Sequence, residues 1–180
     1  MLKFSRLSAV GAAVAFGLLG VVAPQAQAAD LKGELSGKIS SRADKVTRDI
    51  AAKSPAAVAA GANLCGANYK LNHAERLPDA SRLGTLFTYQ APLPKGGRYN
   101  DIPTCAIFDN NSGTAMYMKL KLCSNYTAVP CSVDEGTFTK YAGPVYQKKG
   151  GCGYVYAIMK RSASASTAII DRKLSATACD

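Results

Sequence analysis

Ala115-Met-Tyr-Met-Lys-Leu-Lys-Leu122 alternates more cleanly than any other stretch of the chain. Met116, Met118, Leu120 and Leu122 share one side, and Tyr117, Lys119 and Lys121 share the other. A period of two with one apolar row predicts an antiparallel strand with a buried face and a wet face. Working outward, Leu83–Tyr89, Thr104–Phe108, Thr137–Tyr141, Gly153–Met159 and Thr167–Ile170 read as further short strands. The breaks between them hold Pro92, Pro94, Gly96-Gly97, Asn110-Asn111-Ser112-Gly113 and Gly150-Gly151, which is turn chemistry. The expected fold is mainly β, a small antiparallel sandwich or barrel.

Ahead of this body the composition changes twice. Residues 1–28 have the parts of a secretory signal: Lys3 and Arg6, an apolar run from Leu7 to Val22, then Pro24 and the small-x-small site Ala26-Gln27-Ala28. The run is short for a bilayer span of roughly 20 apolar residues, so the expectation is a cleaved signal and no membrane span afterwards. Residues 29–63 read as a charged arm and linker without cysteine or aromatic residues. Leu31, Leu35, Ile39, Ala43, Val46 and Ile50 recur at helical spacing, and Ser54-Pro55 ends the pattern. The arm is expected to be a short helix leaning one stripe on the body, or disordered. Its apolar face lacks the bulky anchors of a membrane-surface helix. The β domain then spans residues 64–180.

All six cysteines, Cys65, Cys105, Cys123, Cys131, Cys152 and Cys179, fall after the signal. An even count in an exported chain predicts three disulfides. No C-x-x-C occurs, and His73 is the sole histidine, so a Cys/His metal set is not expected. Cys123 and Cys131 enclose Ser124, Asn125 and Pro130, and linking them removes about 2.6 kcal/mol of unfolded-chain entropy. The other four cysteines admit three pairings, of which Cys65–Cys105 with Cys152–Cys179 is preferred.

The residue inventory argues against most chemistry. His73, Glu75 and Arg76 are the one trio with the types a ribonuclease needs, but near-adjacent side chains seldom converge on a cleft. Paired carboxylates, G-x-S-x-G and a Gly-rich phosphate loop are not found, so no catalytic residue, cofactor or metal is assigned. What stands out is charge. The 180-residue chain carries a formal +10, and removal of residues 1–28 leaves 20 basic against 12 acidic residues, or +8. Lys119, Lys121, Lys140, Lys148 and Lys149 are the candidate basic face for an anionic polymer such as a cell-wall or spore-coat component. No nucleic-acid motif accompanies it.

Asp134-Glu-Gly136-Thr-Phe138-Thr-Lys-Tyr141-Ala142-Gly143-Pro144-Val145 resembles the D-x-G-x-F-x-x-Y-A-G-P-V stretch of the spore-associated protein A-like secreted proteins of actinobacteria. Cys65-Gly66 with Tyr69, the strand ending at Tyr89, the Cys105 strand, Cys152 and the terminal Cys179 follow the same order. The resemblance covers roughly residues 64–180. It implies a secreted protein found with aerial hyphae and spores, with no established reaction to carry over; the reading adopted is a non-enzymatic surface protein. The Cys123–Cys131 pair and the charged arm look like additions to that pattern, and the tryptophan that usually follows the cysteine after YAGPV is replaced by Tyr154 and Tyr156. Read for conformation, Gly143-Pro144 suits a turn or strand exit, and Asp134 with Gly136 a turn entering the Phe138 strand. A protease inhibitor or antagonist using the Cys123–Cys131 loop is the alternative, and a secreted ribonuclease the lesser one.

Overall fold

The computed structural model describes residues 35–177; the expected signal peptide, the start of the arm and Cys179 lie outside the described residues. Two four-stranded antiparallel sheets make up the body. The strands are β1 (Lys70–Leu77), β2 (Gly84–Gln90), β3 (Thr104–Asn110), β4 (Met116–Cys123), β5 (Ser132–Phe138), β6 (Tyr141–Gln147), β7 (Tyr154–Lys160) and β8 (Ile170–Ser175). The first sheet runs β1-β2-β3-β6 and the second β5-β4-β7-β8. The mainly β sandwich expected from the alternating pattern is therefore the fold.

The core lies between the sheets. Leu86, Ala106, Phe108 and Val145 from the first meet Met118, Leu120, Leu122, Val155, Ala157 and Met159 from the second. Strand β4 behaves as its sequence dictates, with Met116, Met118, Leu120 and Leu122 buried and Tyr117, Lys119 and Lys121 half-exposed. A second apolar cluster sits behind the first sheet, where Phe87, Tyr89, Cys105 and Ile107 meet two helices. All seven residues of β2 are consequently buried, as in a central strand covered on both faces.

Those helices are α1 (Lys45–Lys53) and α2 (Pro55–Cys65). The Asp44 carboxylate caps α1 by accepting the Thr47 N–H at 2.6 Å. Ser54-Pro55 does end that helix, yet Pro55 also starts the next one, because a first-turn proline loses no intrahelical hydrogen bond. The stretch read as a small-residue linker is thus a helix whose Val58, Ala62 and Cys65 face the sheet. The arm is not one continuous helix: after a helical turn at residues 35–38 the chain breaks before Asp44. Up to the end of α1 its buried positions are Leu35, Ala43, Thr47, Ile50 and Ala51, while Val46 is 62% exposed. Gly61 lies where a Cβ would strike the hydroxyl of Tyr89, which donates to the Val58 carbonyl at 3.2 Å.

Three strand readings need correction. Thr137–Tyr141 is not one strand but the end of β5, a two-residue turn and the start of β6. Thr167–Ile170 lies mostly ahead of β8. Leu71–Leu77, not among the strands expected, belongs to edge strand β1, with a bulge between Leu71 and His73 that breaks the apolar alternation. Two disulfides lie within the described residues, Cys65–Cys105 and Cys123–Cys131, both as preferred from spacing. The expected Cys152–Cys179 link reaches outside the described residues.

Candidate binding surface

No described helix covers the outer face of the second sheet, and strand register decides what gathers there. Across β4 and β7, Tyr117 pairs with Lys160, Lys119 with Ile158 and Lys121 with Tyr156. Across β7 and β8, Tyr156 pairs with Lys173 and Ile158 with Asp171. Across β4 and β5, Lys119 pairs with Glu135. Lysines and tyrosines thus interleave over three strands, four lysines against the two carboxylates Glu135 and Asp171.

Contacts hold these side chains in place. The Lys173 ammonium lies 4.1 Å from the Tyr154 ring centroid, and that of Lys160 lies 6.0 Å from Tyr117. Lys119 pairs with Glu135 at 2.8 Å, and the Tyr117 hydroxyl donates to the same carboxylate. These hydrogen bonds, from Lys119 first and Tyr117 second, hold the Glu135 carboxyl below its ordinary range. The Tyr156 hydroxyl donates to Asp171 at 2.7 Å, which raises the phenol pKa. Lys121 and Lys173 have no carboxylate within ion-pair distance among the described residues.

The five lysines named from sequence do not form one face. Lys119 and Lys121 are on this surface, but Lys140 sits in the β5–β6 turn and Lys148 beyond the far end of β6. A strand rising about 3.3 Å per residue puts those two roughly 25 Å apart. Lys149 is engaged at the same far end, 3.6 Å from Asp101 and 5.1 Å from the Tyr126 ring. Lys160 and Lys173 take their places. A linear reading finds Lys160 and Lys173 among the basic residues that follow, but only the β7–β8 register brings them to the face of Lys119 and Lys121.

Of the ribonuclease trio, His73 and Glu75 stay together while Arg76 turns to another partner. Arg76 points to the helices and donates to the Ser54 hydroxyl at 3.1 Å. Glu75 faces the second sheet, where Arg172 of β8 grips both its oxygens at 2.9–3.2 Å. His73 Nε2 is buried, 3.9 Å from Glu75. A glutamate clamped in this way ties the β1 edge of one sheet to the β8 edge of the other.

The YAGPV stretch lies inside β6 rather than ending a strand. Gly143 and Pro144 together oppose the single Ile107, which makes a bulge. Proline is tolerated there because a bulge leaves its ladder position unpaired. Gly143 has φ +99°, and a Cβ on it would lie 2.8 Å from the Ala106 carbonyl oxygen. Asp134 and Gly136 lie within β5, not in a turn before it. Asp134 accepts the Gly143 N–H at 2.6 Å, and the Phe138 ring folds back over Gly136, 3.2 Å from where a Cβ would stand. Ala142 and Val145 enter the inter-sheet core, and Tyr141 packs towards the helices. These motif residues fix the seam between the two sheets.

No group of three or more His, Cys, Asp or Glu side chains that could hold a metal occurs among the described residues. No helix among them is long and apolar enough to cross a membrane. No family model matches the chain, and neither a curated protein nor a solved structure matches it.

Proposed function

We propose that the chain is a secreted, non-enzymatic protein of the spore or hyphal surface that adheres to anionic envelope polymers. The outer face of the second sheet, which no described helix covers, carries this reading, because Lys121, Lys160 and Lys173 stand among Tyr117, Tyr154 and Tyr156 on a rigid support. Lysines supply attraction to phosphate or carboxylate groups, and tyrosine rings supply faces for sugars. Disulfides suit an extracellular setting, and the resemblance to the actinobacterial spore-associated proteins supports the envelope as the place. The test is retention of the oxidised mature protein on isolated hyphal and spore walls at rising salt. Retention that weakens steadily with salt is expected, since the contacts are screened surface charges. Flow-through at every salt concentration would overturn the reading.

The formed Cys123–Cys131 link supports a second reading, an inhibitor or antagonist with a constrained loop. The loop is tied to the body by the Gln147 amide, which donates to the Pro130 carbonyl at 2.8 Å, and Asn125, Thr127 and Ala128 are exposed. A pre-ordered loop binds at lower entropic cost. A panel of secreted proteases left fully active by the protein would remove this reading.

A further inference from the structure

A groove of about 280 Å³ opens at the end of the first sheet, between Ser40–Arg42, the start of β1 and the chain just after β2. Gln90 lines it from the end of β2, where its backbone is fixed by pairing with Lys70 on one side and Thr104 on the other. Only 8% of Gln90 is exposed, and its amide nitrogen is buried and donates to nothing among the described residues. A buried donor left unpaired loses its hydrogen bonds to water with nothing in exchange, so such a group in a groove calls for an acceptor. The same groove is lined by Arg42 and Lys70 and by no carboxylate. Arg42 is held with its guanidinium 4.9 Å from the Tyr99 ring centroid. Leu93 and the buried Ile102 supply an apolar wall. A second groove, of about 550 Å³, adjoins it through Ser40, Ser41 and Lys70 and adds Arg48.

We infer that this groove is a binding site for a phosphate ester, independent of the lysine–tyrosine face on the other sheet. An amide N–H, a guanidinium and an ammonium are all donors, and together they match an anion that offers several oxygens. A tetrahedral phosphate meets that demand from more directions than a flat carboxylate, and Arg is suited to a bidentate grip on it. Ser40 and Ser41 suit hydroxyls on the carbon body of the ester, and Leu93 and Ile102 suit its skeleton. The phosphate is either that of a free small molecule or one unit of a phosphodiester polymer.

Titration of the oxidised mature protein with glycerol phosphate, with glycerol alone and with a poly(glycerol phosphate) chain tests the site, read by NMR shifts and by melting temperature. Saturable binding of glycerol phosphate with a shift of the Gln90 side-chain amide is expected, and none with glycerol. A polymer that binds more tightly than the monomer identifies the phosphodiester source, and equal affinity identifies the small molecule. Arg42→Glu and Lys70→Glu should each weaken binding at least tenfold. Gln90→Met keeps the side-chain volume and removes the orphan donor. It should leave the unliganded melting temperature unchanged or raised, and abolish the stabilisation by glycerol phosphate. The inference is overturned if wild type binds neither phosphate probe, or if Gln90→Met and Lys70→Glu bind as wild type does. Loss of wall retention on changing the second sheet's lysines, with glycerol phosphate binding intact, would separate this site from the envelope reading.

Discussion

The Asp134 carboxylate accepts the Gly143 N–H at 2.6 Å, joining the edge strand of one sheet to the bulge of the other. Strand β5 belongs to the second sheet and β6 to the first, so this hydrogen bond fastens the sandwich along one open side. Hydrogen bonds to a charged group contribute about 1.5–3 kcal/mol. Asp134→Ala should therefore lower the urea unfolding free energy by about that amount. Gly143→Ala should cost more than Asp134→Ala, because it meets both the left-handed φ of +99° and the Ala106 carbonyl at 2.8 Å. Equal stability of Asp134→Ala and wild type in urea melts would show that the seam is held by apolar contacts alone.

The two described disulfides should differ in what they contribute. Cys65–Cys105 links residues 40 apart in sequence, and Cys123–Cys131 residues 8 apart. The chain-entropy relation gives about 4 kcal/mol for the longer loop and about 2.6 kcal/mol for the shorter. The longer link also pins α2 to β3 behind the first sheet. Cys65→Ala with Cys105→Ala should accordingly lower the melting temperature more than Cys123→Ala with Cys131→Ala, as read by calorimetry on otherwise oxidised protein.

Residue patterns foretell the strands that obey one rule and miss those that obey two. Strand β4 is legible because one face is buried and the other is not. Strand β1 is opaque for two reasons: its bulge at Asn72 resets the alternation, and as an edge strand it tolerates His73, Glu75 and Arg76. The Ala-rich segment from residue 56 to 62 carries no amphipathic signal, because helix propensity and the close approach of Gly61 to Tyr89 define it. YAGPV mimics a strand exit, since proline usually marks one; only the two-against-one register with Ile107 exposes the bulge. The candidate face is half legible. Lys119 and Lys121 follow from β4 alone, whereas Lys160 and Lys173 depend on pairing across β7 and β8.

Asp109 gives a pH-dependent prediction. It lies on β3 between Thr85 and Tyr141, and burial pushes its carboxyl pKa upward. The folded protein then holds this proton more tightly than the unfolded chain, so ionisation of Asp109 costs stability. That cost is absent below the ordinary carboxyl range, grows as pH rises through the raised value, and is complete above it. Asp109→Asn removes the charge at similar size. Its melting temperature should exceed that of wild type at neutral pH, and the difference should vanish near about pH 3, where wild type is itself protonated. A variant less stable than wild type at neutral pH would mean that the carboxylate makes a favourable contact outweighing its burial.

The envelope reading predicts a contrast between two pairs of charge reversals. Lys121 and Lys173 flank Tyr156 on the outer face of the second sheet and have no carboxylate partner among the described residues. Lys140 and Lys148 are equally basic but stand at opposite ends of β6. Each pair of lysine-to-glutamate changes alters net charge by the same amount, so a response to charge alone would be the same for both. A response to the face would not. Lys121→Glu with Lys173→Glu should abolish low-salt wall retention and flatten its salt dependence, since fewer counterions are exchanged on binding. Lys140→Glu with Lys148→Glu should keep most of it. Substituting Tyr154 and Tyr156 by Ser in the wild-type background should weaken retention with its salt slope unchanged, because ring contacts exchange no ions. Equal losses from the two lysine pairs would assign retention to the net positive charge of the chain instead of to the tyrosine-lined sheet.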